Sequence, residues 1–259
     1  MTPVRPCKQW HVGEIKVCVY PDKKSLGEAA ADHVAAILTE AIVARGRAVA
    51  VFATGASQFD FLAALRGRSG IDWRRVIAFH LDEYVEMPPD HPASFRRYLR
   101  EHLFDAVQPG EIHFLAGDAA DPKAECERYG RLLTQKGPAD VACIGIGENG
   151  HIAFNDPHVA DFNDAAMVKV VDLDEACRRQ QYGEGWFATL DDVPKLALTQ
   201  TIPAILSARA ISCVVPEQRK AKAIWNALLG PIAPSCPASI LRRHPNCVLY
   251  LDPESASLV

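Results

Sequence analysis

The sequence predicts an α/β protein: a Rossmann-like open, mainly parallel sheet with helices on both faces and a lid segment. Short apolar runs alternate along the chain with longer segments whose apolar residues recur at helical spacing, which is typical of βαβ units. Several apolar runs show no polar alternation, as expected of strands buried on both faces of a sheet. Several of them end in polar or glycine-containing turns, where such sheets bind ligands.

The first half of the chain contains four predicted strands and four predicted helices after an irregular arm at about residues 1–14. Asp22 can cap the first and longest helix, 23–45, because its side chain can accept from free backbone N–H groups. The predicted strands are 15–20, 48–52, 76–81 and 111–115, and the predicted helices are 23–45, 59–65, 93–104 and 122–135.

The second half is less regular between residues 159 and 192. The predicted strands are 141–146, 167–173, 211–215 and 247–251, and the predicted helices are 175–181, 217–229 and one after Pro237. The run 183–187 combines two glycines with Trp186 and Phe187, which favours a lid at about 159–192 over a core element. No linker composition divides the chain, so we expect one domain over 1–259.

Composition excludes several classes of partner. The formal net charge of -4 gives no reason to expect binding to nucleic acid or to a membrane, and no apolar segment reaches membrane-spanning length. The eight cysteines are scattered without a CxxC pair, and the first ten residues lack an apolar signal segment. We therefore expect a reduced, cytoplasmic protein, and the sequence leaves a homo-oligomer open.

The loop 145–157, GIGENGHIAFNDP, follows a predicted buried strand and is rich in glycine and polar groups. An imidazole, carboxylates and amides are costly to bury for packing alone, so the cluster indicates a site. A single histidine after a glycine turn is more often structural, and the interpretation therefore depends on other turns at the same sheet edge. The candidate residues of this loop are Gly147, Asn149, His151 and Asp156.

Two other turns are suited to an anion. The first opens a helix after the strand 48–52, where backbone N–H groups, the helix dipole and a hydroxyl can hold a negative charge. This turn consists of Thr54, Gly55, Ala56 and Ser57, and the alternative interpretation is an ordinary serine N-cap. Arg219 and Lys220 begin a helix after the strand 211–215, which is the unfavourable end for cations and indicates an anionic ligand. Their alternative is a solvated helix face.

Asp82 and Glu83 follow the strand 76–81, and they are candidates for catalysis and for substrate binding, respectively. Two adjacent carboxylates at a buried strand end can raise a carboxyl pKa into the range useful to a general base. A turn stabilised by an aspartate hydrogen bond is the alternative. His80 and Asp82 fall on the same side of a strand, but no second ligand pair at metal spacing appears, so we expect no metal.

These turns together predict a phosphate-binding side and an acid/base side of one site. Ser57 and Lys220, with Arg219, would hold the phosphate, and Asp82, His151 and Asp156 would move protons. The reaction class they indicate is proton transfer on a phosphorylated small molecule.

The segments LDEYVEMPPDHPASF (81–95) and GIGENGHIAFNDP resemble the two signature segments of the glucosamine-6-phosphate deaminase, or isomerase, family. The similarity extends in order over ATGAS (53–57), VPKLALT (193–199), RKA (219–221) and LRRHPN (241–246). The resemblance implies a Rossmann-like α/β fold and conversion of glucosamine 6-phosphate and water to fructose 6-phosphate and ammonia. It implies neither a metal nor an organic cofactor.

The resemblance also implies roles for individual residues. His151 would assist opening of the sugar ring, and Asp82 would take the proton from C2 and deliver it to C1. Asp156 would lie near His151 and tune its charge. Ser57 with its neighbouring amides, and Lys220, would hold the phosphate.

The chain departs from the family pattern in four respects. Asn149 stands where well-known members have aspartate, and Asp156 where they have glutamate. The family's phosphate-binding lid arginine has no clean counterpart, and Arg178 and Arg179 are the candidates. The basic positions used for allosteric activation in some members are mostly absent from 161–170, so we expect no such activation.

The sequence leaves two other interpretations of the function open. A 6-phosphogluconolactonase shares the fold and a glycine-rich loop with histidine, but is not expected to carry the 81–95 segment and FNDP together. A non-catalytic phosphosugar-binding or sensing protein would normally carry a helix-turn-helix segment, and residues 1–45 do not read as one.

Overall fold

The computed structural model describes residues 4–259 and is built on two β-sheets. The strands are β1 (Lys8–Val12), β2 (Ile15–Val19), β3 (Ala48–Phe52), β4 (Val76–His80), β5 (Asp82–Tyr84), β6 (Glu111–Ile112), β7 (Val141–Ile144), β8 (Val168–Asp172), β9 (Leu196–Gln200), β10 (Ile211–Val215) and β11 (Cys247–Leu251). Eight strands form the main sheet in the order β1-β2-β11-β10-β7-β3-β4-β6, and β5-β9-β8 form a smaller sheet. The main sheet is parallel except for the β1–β2 pair, which confirms the predicted fold class.

The helices cover the main sheet. They are α1 (Lys23–Arg45), α2 (Phe59–Arg66), α3 (Phe95–Leu99), α4 (Asp105–Val107), α5 (Pro122–Lys136), α6 (Glu175–Gly183), α7 (Ile202–Leu206) and α8 (Ala221–Leu229). Asp22 caps α1 as predicted, since its carboxylate accepts from the N–H of Ser25 at 2.7 Å. A π-helical stretch, Arg100–Phe104, joins α3 to α4. A 3₁₀ turn, Gln218–Lys220, precedes α8.

The prediction of an irregular arm over residues 1–14 was wrong for Lys8–Val12, and residues 1–3 lie outside the described part. This segment forms β1, antiparallel to β2, with Trp10 opposite Val17. β1 is an edge strand that is exposed at most of its positions, so it lacks the apolar run that identified the other strands.

The smaller sheet was also not predicted. The sequence indicated β8, but β9 and the short α7 were missed because β9 ends in Thr199 and Gln200. Both side chains are buried and hydrogen-bonded: Gln200 Nε2 donates to the carbonyl of His80 at 2.9 Å, and Thr199 Oγ1 accepts from the N–H of Phe154 at 3.1 Å. Polar residues with such partners are compatible with a buried strand.

Two apolar clusters fill the two faces of the main sheet, and a third lies beneath the smaller sheet. The third cluster includes Tyr84, Phe95, Phe154 and Phe187, whose rings contact one another with centroids 5.0 to 5.7 Å apart. It joins the segment after β4 to the 145–157 loop and to the chain after α6. The three segments that approach the end of the main sheet are therefore packed together.

All eight cysteines are free, and seven of them are buried. Within residues 4–259, no helix combines the length and apolarity needed to cross a bilayer.

Candidate active site

A cavity lies at the carboxyl ends of β3, β4, β7 and β10, four strands that are neighbours in the main sheet. Parallel strands bring their carboxyl ends to one edge, which explains why turns far apart in sequence meet there. Its polar lining side chains are Thr54, Ser57, Asp82, His151, Gln180, Gln181, Glu184, Arg219 and Lys220. The predicted residues Gly55, Ala56 and Gly147 also line it.

Asp82 begins β5, where the chain passes from the main sheet to the smaller one. The preceding Leu81 is held by both sheets, because its N–H donates to Phe52 at 3.2 Å and its carbonyl accepts from Gln200 at 2.8 Å. The Asp82 carboxylate is 7% exposed and makes no ion pair or side-chain hydrogen bond with the described residues. Burial, and secondarily the charge of Glu83, raises its pKa well above the usual aspartate range.

Glu83 does not line the cavity, although we predicted a substrate-binding role for it. Its carboxylate accepts from the Ser94 hydroxyl at 2.9 Å and from three backbone N–H groups, those of Tyr84, Phe95 and Arg96, at 3.1 to 3.2 Å. Burial raises its pKa while these hydrogen bonds oppose the rise. Glu83 thus fixes the start of α3 against β5 and holds a second negative charge next to Asp82.

His80 does not form a metal pair with Asp82. Its Nε2 accepts from the N–H of Leu115 at 2.8 Å, and the ring is completely buried behind the cavity. Burial lowers its pKa to about 3, so the ring is neutral.

His151 lies over the backbone of the 145–157 loop. A Cβ on Gly147 would lie 2.1 Å from Cε1 of His151, so only glycine at that position leaves room for the ring. The backbone N–H of His151 donates to Oδ1 of Asn149 at 3.0 Å. Nδ1 of the ring lies 2.9 Å from Oδ1 of Asp156, although the N–H is not aligned with that oxygen.

Asp156 is completely buried behind His151 and does not reach the cavity. Burial by itself raises the pKa of its carboxyl, but contacts with His151 and Asn149 outweigh it and hold the pKa below the usual value. Asn149 Nδ2 donates to Oδ1 of Asp156 at 2.9 Å, and it lies 3.4 Å from Oδ2 of Asp174. Asn149 therefore orients Asp156 directly and His151 only through the backbone.

The turn from Thr54 to Ser57 leads into a 3₁₀ turn, Ala56–Gln58, and then into α2. Gly55 has a φ of 99°, a left-handed conformation that favours glycine. Gln58, which the sequence did not single out, is almost fully buried, and its amide donates to the Ser57 hydroxyl at 3.0 Å. The Ser57 hydroxyl is thereby positioned at the cavity wall.

Lys220 and Arg219 differ although they are adjacent. Lys220 is 3% exposed and forms no ion pair or side-chain hydrogen bond with residues 4–259. Burial, with the charge of Arg219, lowers its pKa to about 8. Arg219 instead contacts three carboxylates, those of Glu148 and Glu184 at 3.0 Å and that of Glu217 at 2.6 Å.

The segment containing α6 closes one side of the cavity through Gln180, Gln181 and Glu184. We had named Arg178 and Arg179 as candidates for phosphate binding, but neither lines the cavity. Arg178 donates to the carbonyls of Val193 and Leu190, and Arg179 pairs with Glu175 on the helix surface. The three lining residues were missed because a polar residue on a short helix gives no sign of the side it faces.

Two groups of side chains in the described part could offer three metal ligands, and both include Asp156. They are His151, Asp156 and Cys177, and Asp156, His158 and Asp174. In the first group the contact between His151 and Asp156 has hydrogen-bond spacing, and a metal would have to replace it. We therefore assign no chemical step to a metal.

Comparison with known proteins identifies the family of the chain. Residues 21–249 match the family model of glucosamine-6-phosphate isomerases and 6-phosphogluconolactonases. The glucosamine-6-phosphate deaminase of Exiguobacterium sibiricum is 42% identical over 207 residues, which is 80% of this chain and 79% of that protein. The glucosamine-6-phosphate deaminase of an Arthrobacter species is 36% identical over 94% of this chain and 92% of its own.

Among solved structures, a glucosamine-6-phosphate deaminase is more similar to this chain than a 6-phosphogluconolactonase is. A monomeric glucosamine-6-phosphate deaminase superimposes with a TM-score of 0.86 at 31% identity, covering 95% of this chain and 99% of that one. A 6-phosphogluconolactonase from Shewanella baltica superimposes with a TM-score of 0.76 at 22% identity, covering 91% and 96%. The latter likeness establishes the fold alone.

Proposed function

Because the chain belongs to the family of glucosamine-6-phosphate isomerases and 6-phosphogluconolactonases, we propose that it deaminates and isomerises glucosamine 6-phosphate to fructose 6-phosphate and ammonia. The observation that carries the proposal is that Asp82, a buried carboxylate with no cation partner among residues 4–259, shares one cavity with His151 and with Lys220, which forms no ion pair with those residues. Such a cavity separates proton-transfer groups from an anion-binding group.

The anion end holds the substrate. Lys220 and the Ser57 hydroxyl, with N–H groups of the 54–57 turn, bind the phosphate. A phosphate fixed at that end leaves C1 and C2 of the open chain near Asp82, which supplies the entropic part of catalysis.

The acid/base end moves three protons. His151 transfers a proton from the anomeric hydroxyl to the ring oxygen as the C1–O5 bond breaks, which forms the aldehyde. Asp82, as carboxylate, takes the C2 proton while a proton of the substrate's ammonium group moves to the aldehyde oxygen, which gives an enolamine, and Asp82 then returns its proton to C1. Water then adds to the resulting C2 iminium, and loss of ammonia leaves the ketone of fructose 6-phosphate. The raised pKa of Asp82 strengthens it as a base.

The segment with α6 acts as a lid in this proposal. It contributes three side chains to the cavity wall, and Phe187 and Trp186 anchor it by packing on aromatic rings of neighbouring segments. Closure over the sugar would exclude bulk water from the enolamine.

The decisive test incubates purified protein with glucosamine 6-phosphate and measures ammonia and fructose 6-phosphate, beside the variants Asp82→Asn and Asp90→Asn. Asp90 is an exposed aspartate of the nearby loop and serves as the matched control. We expect Asp82→Asn to lose at least about 10³-fold in turnover and Asp90→Asn to keep nearly all of it.

Product formed in deuterium oxide should carry deuterium at C1 in proportion to solvent exchange at Asp82. Ammonia release that survives in Asp82→Asn would contradict the assignment of the base. Hydrolysis of 6-phosphogluconolactone without turnover of the amino sugar would favour the lactonase. Binding of the sugar phosphate without any turnover would identify a non-catalytic binder.

A further inference from the structure

Glu184 places a carboxylate inside the anion end of the cavity. It follows α6 directly, lines the cavity, and its side chain is 8% exposed. Its Oε1 accepts from Nη1 of Arg219 and from Nε2 of Gln180, both at 3.0 Å, and its Oε2 accepts from Nε1 of Trp186 at 3.3 Å. Three donors hold this carboxylate in place, so it does not swing freely into solvent.

The charge of Glu184 acts on the groups that a phosphate would need. Burial and the charge of Arg219 lower the pKa of Lys220, and Glu184 opposes this lowering more than the other nearby carboxylates, Glu148 and Glu217, do. Together with burial, Glu184 also raises the pKa of Tyr98, whose hydroxyl donates to the carbonyl of Gly55 at 2.8 Å. Glu184 also lines the same cavity as Lys220 and the 54–57 turn.

The local charge balance is unfavourable to an added anion. Arg219 carries one positive charge against the three carboxylates that contact it, of which Glu217 also pairs with Lys23 at 2.6 Å. The guanidinium is thus already occupied, and a phosphate bound at Lys220 would face the Glu184 carboxylate, with both of these side chains almost completely buried. Like charges in such a setting repel more strongly than in bulk water.

We infer that Glu184 is a specificity-determining residue that lowers the affinity of the cavity for phosphate groups, by occupying Arg219 and by repelling the bound anion. A phosphorylated ligand must either displace Glu184 from Arg219 or remain beside it, and both reduce affinity. The inference rests on the proposed function only in that the anion end is taken to bind phosphate.

The test measures the dissociation constant of inorganic phosphate by calorimetry at pH 7 and low ionic strength. The variant Glu184→Gln keeps the shape and an acceptor for Arg219 but removes the charge. Glu148→Gln is the matched control, because Glu148 contacts the same atom of Arg219 at the same distance but does not line the cavity. We expect about fivefold tighter phosphate binding in Glu184→Gln and less than about a twofold change in Glu148→Gln.

The gain should shrink as salt is raised, because screening weakens the repulsion that the variant removes. Glu184→Ala, which removes the acceptor as well, should also bind phosphate more tightly than the unmodified protein. Unchanged or weaker binding in both Glu184 variants, equal gains in Glu184→Gln and Glu148→Gln, or no phosphate binding by any of the proteins would overturn the inference. Turnover is not part of this measurement. A failure to deaminate glucosamine 6-phosphate would therefore refute the proposed function, whereas the phosphate-binding constants alone decide whether Glu184 weakens phosphate binding.

Discussion

The two ends of the cavity are built in opposite ways. At the acid/base end, Asp82 is buried with no charged partner in the described part of the chain, and hydrogen bonds of the surrounding backbone and of neutral side chains hold its strand in place. At the anion end, Arg219 is surrounded by three carboxylates from three separate segments, while its neighbour Lys220 forms no ion pair with any described residue. Under the proposed function, reactivity at the first end would come from burial, and affinity at the second from a balance of ion pairs. We therefore expect substitutions at the first end to change turnover and those at the second to change binding.

The largest effect that would test this contrast is on turnover in His151→Asn. Loss of the proton donor for ring opening should lower kcat by roughly 10²- to 10³-fold and leave KM within about threefold, because phosphate binding lies at the other end. The control is His158→Asn, a half-exposed histidine after the same loop, which should retain full activity. Steady-state kinetics of the deamination reaction give both constants. A rise in KM with unchanged kcat would show that His151 serves binding.

A smaller effect, on binding alone, is expected from the titration of Lys220. Its pKa is lowered to about 8, so the ammonium is charged below that pH and loses its charge as the pH rises through it. Phosphate affinity should therefore fall by about tenfold between pH 7 and pH 9.5. Lys220→Arg keeps its charge throughout and should show a much flatter profile. Parallel profiles in the two proteins, measured by calorimetry, would assign the titration to another group.

The smallest predicted effect concerns Asn149, which departs from the family pattern. Its amide donates to Asp156 and approaches Asp174, so an aspartate there would face two carboxylates. Asn149→Asp should lower the free energy of unfolding at pH 7 by about 1–2 kcal/mol, as measured by urea denaturation. Asn163→Asp, at an exposed position, is the control and should change it by less than about 0.5 kcal/mol. Equal stability of the two variants would mean that the pocket around Asp156 adapts to the added charge.

Much of the main sheet was predictable because its central strands are buried on both faces. β3, β7 and β10 are fully buried and read as continuous apolar runs, whereas the edge strand β1 and the polar-ended β9 do not. A strand whose polar residues are hydrogen-bonded by distant segments carries no local sign of burial. The same limit applies to the smaller sheet, which is formed by pairing of segments far apart in the chain.

Among the site residues, sequence order decided which turns meet, but side-chain direction was settled by tertiary packing. Asp82 and Glu83 are adjacent on a strand and so face opposite sides; nothing in their type says which one meets the cavity. Side-chain direction in the segment containing α6 was unpredictable for the same reason, because Arg178 and Arg179 face away from the cavity while Gln180 and Glu184 face it.

By itself, the order of apolar runs and polar turns determined a parallel α/β sheet and the edge at which a ligand site would lie, because the carboxyl ends of parallel strands share one edge. Only the tertiary structure decided the charge of that site. Within residues 4–259, Lys220 is free of ion pairs and Arg219 is occupied, and this difference depends on carboxylates brought in from distant loops. Electrostatic energy depends on distances that the sequence does not contain.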